Sequence, residues 1–198
     1  MSDYSVIAAV SGALRRILWD AFQPDPVINQ LVTSENVIVF RNPTETARDS
    51  ANRMSLWCYR VEENEHVKNQ PMLGGATAAS QRVPPLALNL YYLVTPFGPS
   101  GEADHLILGK AMQALYDNGV VLLRDPVAEI AEELRIIFCR LTLEELTRIW
   151  EALREPYRLS VCYQVRVTRV ESQREPGRAR ILDRAAALGA IGAPEVRP

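Results

Sequence analysis

Two histidines, three cysteines and a short run of glutamates are the residues of this 198-residue chain whose types could carry chemistry. Metal ligation needs His, Cys or carboxylates gathered at short spacing. His66 lies in a polar stretch and His105 near the start of a helical pattern, and no C-x-x-C or H-x-x-x-H spacing occurs. Both histidines read as exposed surface groups, so no metal and no other cofactor is expected. Cys58, Cys139 and Cys162 fall in strand-like runs, where a thiol packs as a small hydrophobe. Their odd number, with no close pair along the chain, argues against a disulfide scaffold and fits a reducing compartment. Leu108-Gly109-Lys110 superficially resembles a phosphate loop. However, Asp104 stands where the first glycine is needed and Ala111 where Ser or Thr must follow the lysine. Gly74-Gly75 lacks a strand–turn–helix context, and no G-x-S-x-G elbow is present. Glu62, Glu63 and Glu65 read as a solvated loop, and Trp19, Trp57 and Trp150 as core packing. The residue types name no reaction, and the chain is not expected to be an enzyme.

The elements that would position any site follow from periodicity. Ile7, Val10, Leu14, Ile17 and Leu18 predict a helix over 3–22, capped by Ser2 or Asp3 and ended by Pro24 and Pro26. Val37–Phe40 is a short strand stopped by Asn42-Pro43, and 44–52 reads as loop. Met54–Val61 alternates as a strand with both faces largely covered. Residues 62–84 form one long polar segment. Leu86–Thr95 is apolar at nearly every position and therefore a central strand.

A second helix spans 104–118, with Asn118-Gly119 as its stop. Val120–Leu123 is ambiguous, Val127–Glu132 suggests a helical turn, and Leu134–Leu141 a strand. Thr142-Leu143-Glu144-Glu145 is a capping box opening a helix to about Arg154. Leu159–Val167 alternates cleanly, as an antiparallel strand with one polar face does. The expected fold class is α+β: a mostly antiparallel central sheet of 54–61, 86–95, 134–141 and 158–168, with helices 3–22, 104–118 and 142–154 packed on it. Residues 1–170 form the domain. Residues 171–198, where 178–188 reads as a weak helix, form a C-terminal extension outside the core.

Composition sets the outer bounds. Apolar residues are 47 % and charged residues 23 %, ordinary for a globular chain. A net charge of −2 excludes a polycation that holds nucleic acid through its phosphates. No apolar run approaches the ~20 residues of a membrane-spanning helix. No secretory signal is read at the N-terminus.

Several segments together resemble one family. They are Val6-Ile7-Ala8-Ala9-Val10 leading to Leu14 and Leu18; Pro84-Pro85-Leu86-Ala87-Leu88-Asn89-Leu90 followed by Tyr91-Tyr92-Leu93-Val94-Thr95; Leu108-Gly109 before Met112-Gln113-Ala114-Leu115; Leu143-Glu144-Glu145-Leu146 before Trp150; and Pro156-Tyr157-Arg158-Leu159-Ser160-Val161 running into Tyr163-Gln164-Val165-Arg166-Val167. Their order and spacing, over roughly 3–170, are similar to the cap, or tail-terminator, proteins of extracellular contractile injection systems of the antifeeding-prophage and Photorhabdus virulence cassette type. The family commonly carries Arg-Asn after the second strand, where this chain has Lys68-Asn69.

The resemblance implies a tail-terminator-like α+β domain that closes as a six-fold homo-oligomeric ring on the inner tube, where the sheath also ends, and stops polymerisation. It implies assembly in the bacterial cytoplasm into a particle that is then released, with tube and sheath proteins as partners, and with no nucleic acid and no membrane insertion. Two other readings compete: the tail terminator of a contractile phage or phage-like tail, and a small ligand-binding protein or enzyme with the 62–84 segment as a lid. Lys68, Asn69 and Arg82 in the long polar segment, and Arg174, Arg178, Arg180 and Arg184 in the extension, are the expected assembly contacts. Their long or amide side chains reach carboxylates and carbonyls of a neighbour.

Overall fold

The computed structural model describes residues 4–64, 86–124 and 131–170. These belong to a compact unit formed by Met1–Pro71 and Pro84–Gln173; the chain's other unit, Met72–Val83 with Arg174–Pro198, lies outside the described residues.

The first helix, α1 (Val6–Phe22), buries Val6, Val10, Leu14, Leu18 and Phe22, one residue per turn on a single face. It begins at Val6 rather than at residue 3, so the expected caps Ser2 and Asp3 are not its start. Apolar periodicity marks the buried stripe and says little about where the first turn closes. Beyond Pro24, Asp25 Oδ1 accepts the amides of Val27 and Ile28, both at 3.1 Å, and starts the single turn α2 (Ile28–Leu31).

A 3-10 turn over Glu35–Val37 leads into β1 (Ile38–Val39), half the length expected. Residues assigned to loop from 44 instead open as a helix, α3 (Pro43–Ala47). Asn42 Oδ1 accepts the Glu45 amide at 2.8 Å and Pro43 occupies the first turn, an N-cap signature that the polar composition of the segment obscured.

The remaining strands are β2 (Met54–Glu63), β3 (Leu86–Pro96), β4 (Val120–Arg124), β5 (Ala131–Cys139) and β6 (Val161–Val170), with α4 (Gly101–Asp117) and α5 (Leu143–Leu153) between them. The sheet order is β1-β2-β3-β6-β5-β4. Among the described residues only β1 and β2 run parallel; the other four pairings are antiparallel. The α+β class, the mostly antiparallel sheet and the central place of 86–95 are as expected, and the ambiguous 120–123 run is an edge strand. Residues 131 and 132, assigned to a helical turn, belong to β5, while 125–130 lie outside the described residues.

Register divides the sheet into two faces. Leu88, Leu90, Tyr92 and Val94 of β3 join Met54, Leu56, Leu134, Ile136 and Val165 in the core beneath α1 and α4. Tyr92 ties this layer to α1: its hydroxyl lies 2.8 Å from Ser11 Oγ, which itself donates to the Ile7 carbonyl, so the tyrosine donates. Trp19 packs against this cluster, whereas half-buried Trp57 lies in the rows of the opposite face. The third long helix does not belong to this layer. No residue of α5 is in the core cluster, and of its stripe only Trp150 is fully buried, donating to Ser160 Oγ at 3.2 Å.

Candidate functional site

Directly paired strand residues project to the same side, so the face away from α1 and α4 can be read row by row. One row runs Trp57, Leu93, Cys162, Cys139 across β2, β3, β6 and β5; the next runs Arg60, Tyr91, Gln164, Ile137; a third begins with Glu62 and Asn89. The register shifts between Cys58 and Arg60, a bulge that inserts Tyr59. Both Tyr59 and Arg60 therefore reach Tyr91: the two rings meet edge to face at 6.4 Å, and the guanidinium stands 5.1 Å from the Tyr91 ring centre.

The polar atoms of this face satisfy one another. Gln164 Nε2 donates to Tyr91 Oη at 3.1 Å, and Arg166 Nε donates to Gln164 Oε1 at 3.0 Å. Arg60 pairs with Glu62, and Asn64 Nδ2 donates to Asn89 Oδ1 at 3.1 Å. The Tyr91 hydroxyl and then Arg60 hold the Glu62 carboxyl below its ordinary value. Burial, then the Glu62 carboxylate, pushes Tyr91 up to about 12. Burial and the neighbouring Cys162 thiol raise Tyr59 further. Glu62, Asn89, Tyr91 and Gln164 frame a cleft of about 430 Å³ with Glu63, Asn64 and Arg166 at its walls. A second cleft of about 470 Å³ lies between Asn52, Arg53, Phe97 and Arg158, whose guanidinium stacks 4.6 Å from the Phe97 ring centre.

Chemically, the sheet face is a preorganised hydrogen-bonding surface. Its tyrosines stay protonated at neutral pH, Arg60 is paired with Glu62 and Arg166 is bonded to Gln164, which suits recognition of another polar surface. Among the described residues no three His, Cys, Asp or Glu side chains come together as a metal site. His105 is exposed on α4, and His66 lies outside the described residues. No described helix is long and apolar enough to cross a membrane.

The expected assembly residues Lys68, Asn69, Arg82, Arg174, Arg178, Arg180 and Arg184 all lie outside the described residues. The long segment itself is shorter than its expected bounds 62–84. Glu62 and Glu63 belong to β2, and the Asn64 amide still bonds the Ala87 carbonyl at 2.8 Å. Glu62 is thus not part of a solvated loop but a strand residue paired with Arg60. Met54–Val61 has both faces covered only at its start, because β2 emerges toward the cleft from Arg60 onward. The polar face expected of 159–167 is partly wrong as well: Cys162 and Gln164 are 2 % and 6 % exposed. Tyr91, Asn89 and Gln164 were missed as site residues. The alternation of β6 exposed Gln164 and Arg166 as a polar pair, but nothing in the apolar run of β3 distinguished Tyr91 from a core ring.

The fold and this face define an α+β domain with a polar, hydrogen-bonding sheet surface. Residues 9–183 match the family described as the Pvc16 N-terminal domain. The chain belongs to that family, as the sequence resemblance led one to expect. Among solved structures, it is similar to the sheath/tube terminator of the extracellular contractile injection system PVC in its extended state. The identity is 19 %, with a TM-score of 0.47, covering 73 % of this chain and 50 % of that one. It is also similar to the tube-terminating cap of the anti-feeding prophage, at 18 % identity and a TM-score of 0.41, covering 62 % of this chain and 44 % of that one. This chain therefore spans half or less of the length of those solved chains. No curated protein matches it.

Proposed function

We propose that this protein is a structural cap of a contractile injection particle, closing as a six-fold ring on the end of the inner tube and sheath and ending tube polymerisation. The observation that carries this reading is membership of the Pvc16 N-terminal domain family over 9–183, nearly the whole chain. The sheet face supports it: the Arg60–Glu62 pair and the half-buried hydroxyls of Tyr59 and Tyr91 make a surface for docking rather than for catalysis. Capping requires no reacting group, so the proposed protein is not an enzyme. Subunit contacts must be heterologous and must close, since an open rotation would extend a filament instead of ending one.

In this reading residues 1–170 form the ring body and 171–198 an extension. Lys68, Asn69 and Arg82, with Arg174, Arg178, Arg180 and Arg184, contact tube, sheath or neighbouring copies. Assembly takes place in the bacterial cytoplasm, and the finished particle is released. The lid reading is less well supported, because the cleft where the 65–85 segment leaves and rejoins the sheet is lined by Glu62, Asn89, Tyr91, Gln164 and Arg166 rather than by an apolar pocket wall.

Gene deletion tests the proposal. Particles lacking this chain are expected to show tubes of uncontrolled length and sheaths that detach or contract early. Particles of normal length and stability would refute the capping role. Electron microscopy of native particles is expected to place this chain at one end only.

A further inference from the structure

We propose that Cys139 and Cys162 are a reversible oxidation site, a thiol pair that closes to a disulfide across β5 and β6. The two residues are direct partners in the antiparallel register. Residues directly opposite in such a ladder have Cα atoms about 4.5–5.5 Å apart, inside the ~4.4–6.8 Å that a disulfide spans. The register therefore places the two Cα atoms at a separation that a disulfide can bridge. Both side chains share one face, and both thiols are free. The remaining thiol, Cys58, cannot compete. It pairs in register with Tyr92 and packs against the core on the other side of the sheet.

Exposure sets the order of events. Cys139 is half-buried, whereas Cys162 is 2 % exposed with the Tyr59 hydroxyl 3.2 Å from its sulfur. The Cys139 thiolate attacks a small-molecule disulfide such as oxidised glutathione. A mixed disulfide forms and one glutathione leaves as the thiolate. Cys162 then loses its proton, attacks Cys139 Sγ, and expels the second glutathione. The two protein thiols give up two electrons and two protons, and the glutathione disulfide is reduced to two thiols. Burial raises both cysteines above the ordinary thiol value, opposed at Cys139 by the charges of Arg166 and Arg60, so exchange is slow at neutral pH and faster in mild alkali. The crosslink spans α5, joining the end of β5 to the start of β6. This inference does not depend on the capping role.

The test uses the full chain, incubated with oxidised glutathione at mildly alkaline pH, alkylated with N-ethylmaleimide, and digested for mass spectrometry. The expected product is a Cys139–Cys162 linked peptide, with Cys58 alone alkylated, a higher urea midpoint than the reduced chain, and reversal of both by dithiothreitol. In the C162S variant the reaction should stop at a glutathione adduct on Cys139; C58S should behave as the unaltered chain. Wild-type protein that ends as glutathione adducts, that keeps both thiols open to alkylation, or that links Cys58 instead would overturn the proposal.

Discussion

Thr95 sits in the central strand with its hydroxyl buried and, among the described residues, without a hydrogen-bond partner. An unsatisfied buried hydroxyl carries its desolvation cost with no return, so Thr95→Val should stabilise the domain by about 1 kcal/mol, read as a higher urea midpoint. The sheet also makes stability depend on pH at both ends. Glu62 has its folded value lowered by Tyr91 and Arg60 from an ordinary 4.5. Its contribution is therefore present above that ordinary value and is lost as pH falls through the lowered one. Tyr91 and Tyr163 are each raised, mainly by burial, from 10 to about 12. Theirs is fully present below pH 10 and is lost as pH rises toward the folded value. A series of urea midpoints from acid to alkali should show both limbs. Glu62→Gln should flatten the acid limb, and Tyr163→Phe should weaken the alkaline one.

At the scale of elements, α5 depends on its ends because little of its surface is buried. Thr142 Oγ1 accepts the Glu145 amide at 3.2 Å, and Glu145 Oε2 accepts the Thr142 amide at 2.8 Å. Thr142→Ala removes the first bond and should cost about 1 kcal/mol. The helix closes at Arg154, the single non-glycine residue with positive φ among the described residues, at 57°. Arg154→Gly removes a Cβ clash worth about 1–2 kcal/mol, while the looser unfolded chain returns up to about 1 kcal/mol. The net effect is a small gain, and circular dichroism melts of both variants check the pair. The turn before α4 has the opposite requirement. A Cβ at Gly98 would stand 2.7 Å from Ala103 Cβ and 3.0 Å from the backbone of Ala103 and Asp104. That close approach lets the Gly98 amide donate to Asp104 Oδ1 at 2.6 Å.

For the whole molecule, the β2–β3 connection is the proposed docking element. Both of its stems are anchored: Asn64 is bonded to Ala87 and Asn89, and Leu86 is paired with Val170. Replacing 68–82 with a short Gly/Ser linker should therefore leave the melting temperature of the domain within a few degrees of the original while abolishing its incorporation into particles. Incorporation at the unaltered level would remove Lys68, Asn69 and Arg82 from the proposed contacts.

Local pattern was sufficient for the long elements. The stripes of α1 and α4, the capping box of α5 and the nearly continuous apolar run of β3 are set by contacts within a few residues or by simple burial, and both are written in residue type. Of the short elements, α3 escaped because it rests on one side-chain cap, and the strand expected at Val37–Phe40 is half as long because only Ile38 and Val39 pair with a distant strand. The same limit hid the site. Tyr91, Gln164, Glu62 and Asn89 stand far apart in the chain, and only sheet order and the bulge at Tyr59 bring them to one face. The cysteines make the point most plainly. By sequence they are unpaired thiols in separate strands; whether Cys139 faces Cys58, Cys162 or nothing depends on which strands are neighbours and in what register. Register is settled by the burial of a whole face at once, because a slip of one residue would turn every apolar side chain of a strand toward water.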